Sequence, residues 1–175
     1  MKTLKRRKKE HKTDYSKRIR LLKSKSPRVV FKKTNRYIIA QYVRSREAQD
    51  KIEIGITSKD LFKYGWPEER KGSLKSLPAS YLTGFLIGKK IIEKKFEKPI
   101  VDFGMLRVLH KNRAFAFLKG LKDSGIQVKC KEEFFPSEDR IKGRHLKKDF
   151  SKIFEGIKSK MEKEKWKKKE MNEKF

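Results

Sequence analysis

Asp102, Glu53 and Asp123 are the side chains best suited to chemistry, because nucleases hold Mg²⁺ on carboxylates contributed by neighbouring elements. The same positions have a plainer use, Asp102 as a strand-end or loop polar group and Asp123 as one near a helix terminus. Glu132, Glu133, Glu138 and Asp139 flank FFPS and would pair as readily with nearby Arg and Lys as with a metal. His11, His110 and His145 are scattered, and none has a second histidine at helical spacing. Cys130 is the single cysteine, so the chain offers neither an internal disulfide nor zinc-ribbon spacing, and no sequence signature sets a base beside it. GFLIGKK at 84–90 is one residue short of a phosphate-binding loop, carries Lys90 where a hydroxyl is needed, and falls inside a helical pattern. The expectation is a protein with no enzymatic activity, no metal and no cofactor; a Mg²⁺-dependent RNA-processing enzyme or a generic nucleic-acid-binding protein is the alternative.

What the chain has in abundance is positive charge. Lys and Arg number 50 against 22 Asp and Glu in 175 residues, a formal net charge of +28, while only 35% of residues are hydrophobic. That composition allows one modest core with tails. No run approaches the roughly 18 apolar residues of a membrane span, and the basic start lacks the apolar stretch of a secretory signal, so a cytoplasmic location is expected. Residues 1–28 hold 13 basic side chains and 2 acidic ones. By itself such a segment cannot offset its ordering entropy and self-repulsion. Along a phosphate backbone the same charges are favourable, since each neutralised phosphate releases condensed counterions. Tyr15, Ile19, Leu21 and Leu22 sit among the bases, which a purely solubilising tail has no use for. An arm that orders on RNA or DNA is expected, ahead of an anionic membrane.

The elements that would carry this arm follow from periodicity. VVF at 29–31, the turn-like KKTNR, and YIIAQYV at 37–43 read as a hairpin, and KIEIGITS at 51–58 alternates Ile52, Ile54 and Ile56 with polar neighbours. Three such strands form an antiparallel meander with one buried face; the outward face would carry Lys32, Gln41 and Arg44. A long loop, KDLFKYGWPEERKGSLKSL, follows. A helix is predicted from Ser76, with Pro78 in its first turn and an apolar stripe through Leu82, Phe85, Leu86, Ile92 and Phe96. Gly84 and Gly88 on it would permit close approach to the sheet. PIVDFGM opens a fourth strand at Pro99, a helix runs from about Asn112 to a stop at Gly125, and IQVKC at 126–130 closes the unit as a fifth strand. The predicted fold class is therefore α/β: a mixed five-stranded sheet (three antiparallel strands, then α-β-α-β), with a basic N-terminal arm and a C-terminal helix. The two crossover helices should cover one face of that sheet, leaving the other for a partner such as nucleic acid. Phe150, Ile153, Phe154, Ile157 and Met161 mark the C-terminal helix, continued by the polar KEKWKKKEMNEKF. The boundaries expected are an arm over 1–27, a core over 28–131 and a C-terminal extension over 132–175.

TDYSKRIRLLKSKSPRVVFKKTNRYIIAQYV at 13–43 resembles the opening of the L-eighteen family of large-subunit ribosomal proteins. Pro27-Arg28, the apolar strand, the basic-Thr-Asn turn and Tyr37…Ala40-Gln41 match in order and spacing. YGW at 64–66, SLPASYLTGFLIGKK at 76–90 and EEFFPSEDRIKGRH at 132–145 resemble its archaeal and eukaryotic branch. The resemblance implies a protein that binds 5S rRNA and helps attach it in the central protuberance, with large-subunit rRNA and neighbouring ribosomal proteins as further partners and no membrane. It implies RNA contacts from Arg6, Arg7, Lys8, Lys12, Tyr15, Lys17, Arg18, Arg20, Arg28, Lys32, Lys33, Asn35 and Arg36, with Tyr64 and Trp66 as secondary candidates. A-form RNA hides its major groove, so recognition through phosphates, 2′-hydroxyls and unstacked bases suits this mixture of Arg, Lys and Tyr.

Overall fold

A computed structural model of the protein describes residues 3–107, 109–146 and 149–163. In chain order the elements are α1 (Arg6–Lys9), α2 (Tyr15–Lys23), β1 (Arg28–Lys33), β2 (Ile38–Arg46), β3 (Gln49–Thr57), α3 (Leu77–Glu93), β4 (Ile100–Asp102), α4 (Arg113–Asp123), α5 (Glu138–Lys142) and α6 (Ser151–Lys163). Short 3₁₀ turns occupy Ser58–Tyr64, Glu68–Ser73 and Glu132–Phe134.

β1, β2 and β3 form the expected antiparallel meander, and β4 adds to the other side of β1 in parallel, giving the order β3-β2-β1-β4. The sheet is mixed, as predicted, but has four strands. Residues 126–130 alternate buried and exposed side chains as a strand would, yet pair with nothing in the sheet. The Ile126 amide donates instead to the Leu121 carbonyl, closing the end of α4. Side-chain alternation survives there without a ladder.

Strand parity sorts the two faces. Val29, Phe31, Ile38, Ala40, Tyr42, Ile54 and Ile56 point into the core. Ile52 does not share that face. A register irregularity at Tyr42/Val43 lets Ile54 pair with Tyr42 and Ile52 with Val43, so Glu53 is the extra residue of a bulge. Ile52 is thereby turned to the opposite side and is 53% exposed. Arg44 likewise departs from expectation: its parity is that of Tyr42, and its guanidinium lies over the Phe96 ring at 5.3 Å. Lys32 and Gln41 do share the open face with Arg28, Val30 and Val43.

On the core face α3 is buried from Pro78 to Gly88 on every side, because it is packed by β2, β3, α4, α5 and α6 together. Ser76 caps its start by accepting from the Ala79 amide. Gly84 and Gly88 do bring a neighbour close, though the neighbour is α4 and not the sheet. A Cβ on Gly84 would meet the Phe117 carbonyl, one on Gly88 the Ser124 hydroxyl, and one on Gly120 the Tyr81 carbonyl. Asn112 caps α4 by accepting from the Ala114 and Phe115 amides. α6 docks through Phe154, Ile157 and Met161, with Phe150 buried just before it. Most of the continuation after Met161 lies outside the described residues.

Candidate nucleic-acid interface

The segment before β1 has the composition of a chain that stays unfolded, yet two of its stretches are helical, and α2 lies across the open face of the sheet. Asp14 caps α2 by accepting from the Lys17 amide. The docking contacts come from two adjacent side chains that reach opposite edges of the sheet. Lys17 Nζ donates to the Gly104 carbonyl at 3.2 Å and stands 3.5 Å from Asp102 beside β4. Arg18 donates to Asp50 at 2.9 Å and to the Ala48 carbonyl at 3.3 Å, at the β2–β3 turn.

Arg28 joins the two ends from beneath. Its side chain is 4% exposed; Nη2 donates to Asp50 at 2.7 Å and to the Ser45 hydroxyl at 2.9 Å, and Nη1 is 3.5 Å from Asp102. Ser45 in turn donates to Asp50 at 2.6 Å. Burial works to raise the Asp50 pKa, but the hydrogen bonds from Ser45 and Arg18 and the charge of Arg28 outweigh it, holding the carboxyl below its ordinary value. Between arm and sheet is a cavity of about 310 Å³, floored by Val30, Gln41, Val43 and Ile52 and ringed by these ions together with Arg7, Lys12 and Lys32.

The implied RNA-contacting residues fall into three groups. Arg6, Arg7, Lys8, Lys12 and Arg20 on the arm, and Lys32, Lys33, Asn35 and Arg36 at the β1–β2 hairpin, are exposed. Within this group Arg6 and Lys12 both hydrogen-bond Glu10, and those two donors hold its carboxyl below the usual range. Arg7 donates to the Thr13 hydroxyl. Tyr15, Lys17 and Arg18 are half-buried, Tyr15 with Lys5 Nζ 4.9 Å over its ring. Arg28, Tyr64 and Trp66 are buried. The Trp66 ring packs edge-on to Phe150 at 4.9 Å, and its indole N–H donates to the Arg70 carbonyl. The long loop after β3 is thus a pair of compact 3₁₀ turns that bury Leu61, Tyr64, Trp66 and Leu74, and its aromatics offer no open face to a base in this conformation.

Asp50 is the residue that sequence reasoning overlooked. The signal was an acid two residues past a hairpin turn in an otherwise basic first third of the chain. Asp102, a candidate Mg²⁺ ligand by sequence, is an ion-pair partner of Lys17 and Arg28. The other two carboxylates of that trio have separate partners: Glu53 pairs with Lys51, and Asp123 accepts from the Tyr81 hydroxyl at 2.7 Å and pairs with Lys119. Among the described residues no three His, Cys, Asp or Glu side chains cluster as a metal site would require. No helix of the described residues is long and apolar enough to cross a membrane, and Phe154, Ile157 and Met161 of α6 are already buried against the core, with Ile153 left exposed.

Comparison with known sequences points the same way as the surface charge. Residues 1–99 match the family described as ribosomal large subunit proteins 60S L5, and 50S L18. The large ribosomal subunit protein uL18 of Korarchaeum cryptofilum (strain OPF8) is 44% identical over 141 residues, 81% of this chain and 70% of that protein. Those of Methanoculleus marisnigri (strain ATCC 35101 / DSM 1498 / JR1) and Methanoregula boonei (strain DSM 21154 / JCM 14090 / 6A8) are 42% and 39% identical over the same length, 81% of this chain and 78% and 79% of theirs.

Proposed function

Since the chain belongs to the family of large-subunit ribosomal proteins that includes 60S L5 and 50S L18, a non-enzymatic structural class, we propose that within the large subunit it binds 5S rRNA and helps attach it in the central protuberance. The observation that carries this is the exposure of cations on both arm and hairpin, with Arg7, Lys12 and Lys32 around one cavity. Arg6, Arg7, Lys8, Lys12 and Arg20 are exposed on the arm, and Lys32, Lys33, Asn35 and Arg36 on the β1–β2 turn of the sheet against which α2 is held. These side chains meet phosphates and 2′-hydroxyls, with the Arg forks supplying paired donors and Tyr15 a ring for an unstacked base. Lys17, Arg18 and Arg28 hold the arm in place, and Tyr64 and Trp66 shape the core behind it. Large-subunit rRNA and adjoining ribosomal proteins meet the remaining surface.

Filter binding of the full chain to 5S rRNA, against an unrelated structured RNA of the same length, tests the reading. The expected result is a clear preference for 5S rRNA that persists at moderate salt. Equal affinity for the two RNAs contradicts it, because charge alone does not distinguish them.

A further inference from the structure

We infer that Asp50 and Asp102 are positioning residues for the arm: an ion-paired latch that holds α2 over the sheet before any RNA arrives. The inference rests on the RNA-binding reading above for its functional meaning, but the latch itself is a property of the chain alone.

A nine-residue helix with Arg18, Arg20 and Lys23 and no acidic residue in its first turn has little stability of its own. Lys17 in that first turn opposes the helix dipole. Asp14 at the N-cap meets part of this locally, and acids on elements far along the chain meet the rest. Asp102 faces Lys17, Asp50 faces Arg18, and the buried Arg28 touches both carboxylates. The backbone is prepared for the same contacts. The Gly104 amide donates to Asp102 while the Gly104 carbonyl accepts from Lys17, and Ser45 fixes Asp50.

Three cations around two carboxylates leave the cluster with a net charge of +1. Asp102 is mostly enclosed, at 12% side-chain exposure, and Asp50, at 31%, has its charge met by Arg18 and Arg28. Arg20 and Lys23 face outward on a helix already seated, so RNA need not supply the ordering free energy of that segment. This arrangement separates two expectations that ordinarily agree. Counting charges, replacing an aspartate by asparagine removes a negative charge, raises the net charge by one and tightens binding to a polyanion. With a latch, the same replacement frees α2 and weakens binding.

The test is amide hydrogen exchange of the full chain, with 5S rRNA titrations alongside, for wild type, Asp102→Asn, Lys17→Gln and the double variant. In Asp102→Asn, exchange over 15–23 accelerates by about tenfold while β1 amides stay protected, and 5S rRNA affinity falls by roughly three- to tenfold despite the raised net charge. In the double variant exchange over 15–23 accelerates by less than the product of the two single effects, because the Lys17–Asp102 contact is common to both. Unchanged exchange in α2, additive effects, or tighter RNA binding by Asp102→Asn would each overturn the latch. If Asp102→Asn also exposes β1, Lys17→Gln decides through exchange alone, since Lys17 lies at the surface of the cluster and its loss leaves the core intact. If wild type does not bind 5S rRNA, the functional reading fails and exchange still decides the latch.

Discussion

Arg28 and Trp66 show what a residue's type does and does not announce. Both sit in segments where an RNA contact was the natural expectation, and both are buried, because the groups that engage them come from elsewhere in the chain: Asp50 and Asp102 for Arg28, Phe150 for Trp66. Local composition carries no record of such partners. The exposed cations were legible because exposure is the default for Lys and Arg. Replacing Trp66 by Ala should lower stability by about 4 kcal/mol in urea unfolding, whereas Trp66→Phe should cost less and leave RNA affinity at the wild-type value wherever the variant is folded. For Asp50 the pH dependence has a definite sign. Its pKa is depressed in the folded chain below the ordinary value of 3.8, so its contribution is present above that value and is lost as the pH falls through the folded one. Asp50→Asn should be less stable than wild type at pH 6 by about 2 kcal/mol, and the difference should shrink on acidification to pH 3; a constant gap across that range would contradict the ion pairing.

At the scale of elements, α3, α4, α6 and the meander were readable from apolar spacing and caps, with Ser76, Asn112 and Gly125 marking termini where expected. The arm's α1 and α2 and the short α5 were not, and neither were two features of the strands. The bulge that turns Ile52 away from Ile54 leaves the sequence alternation intact, and residues 126–130 alternate without pairing. In both cases period-two burial is visible in the sequence while hydrogen-bond register is not. The β2–β3 connection is a locally unfavourable choice. Glu47 and Ala48 both adopt positive φ, 48° and 65°, in a two-residue hairpin loop that favours Asn-Gly. The Arg18 bond to the Ala48 carbonyl supports it from the arm. Replacing Glu47-Ala48 by Asn-Gly should stabilise the protein by about 1 kcal/mol, read as a shift of the denaturation midpoint. The α3–α4 contact has no such slack. Gly120→Ala drives a methyl into the Tyr81 carbonyl and should cost about 3 kcal/mol; a cost below half of that would mean the two helices are not in backbone contact.

For the whole molecule, the charge of +28 is organised, not merely large. The acids nearest the arm are drawn beneath it and paired, and the cations of arm and hairpin are left outside. A polyanionic partner was therefore legible from composition, and the family from its motifs, while the means of seating the arm required the fold. The central claim is that arm and hairpin engage phosphates together as one surface. The direct measurement is the slope of log affinity for 5S rRNA against log salt, for the full chain, for Arg6, Arg7, Lys8 and Lys12 changed to Gln, and for Lys32, Lys33 and Arg36 changed to Gln. Each set should flatten the slope by roughly 2 to 3, close to one phosphate contact per cation removed. A slope unchanged by either set would mean that its cations face solvent in the complex, and the account of a joint arm-and-hairpin surface would be wrong.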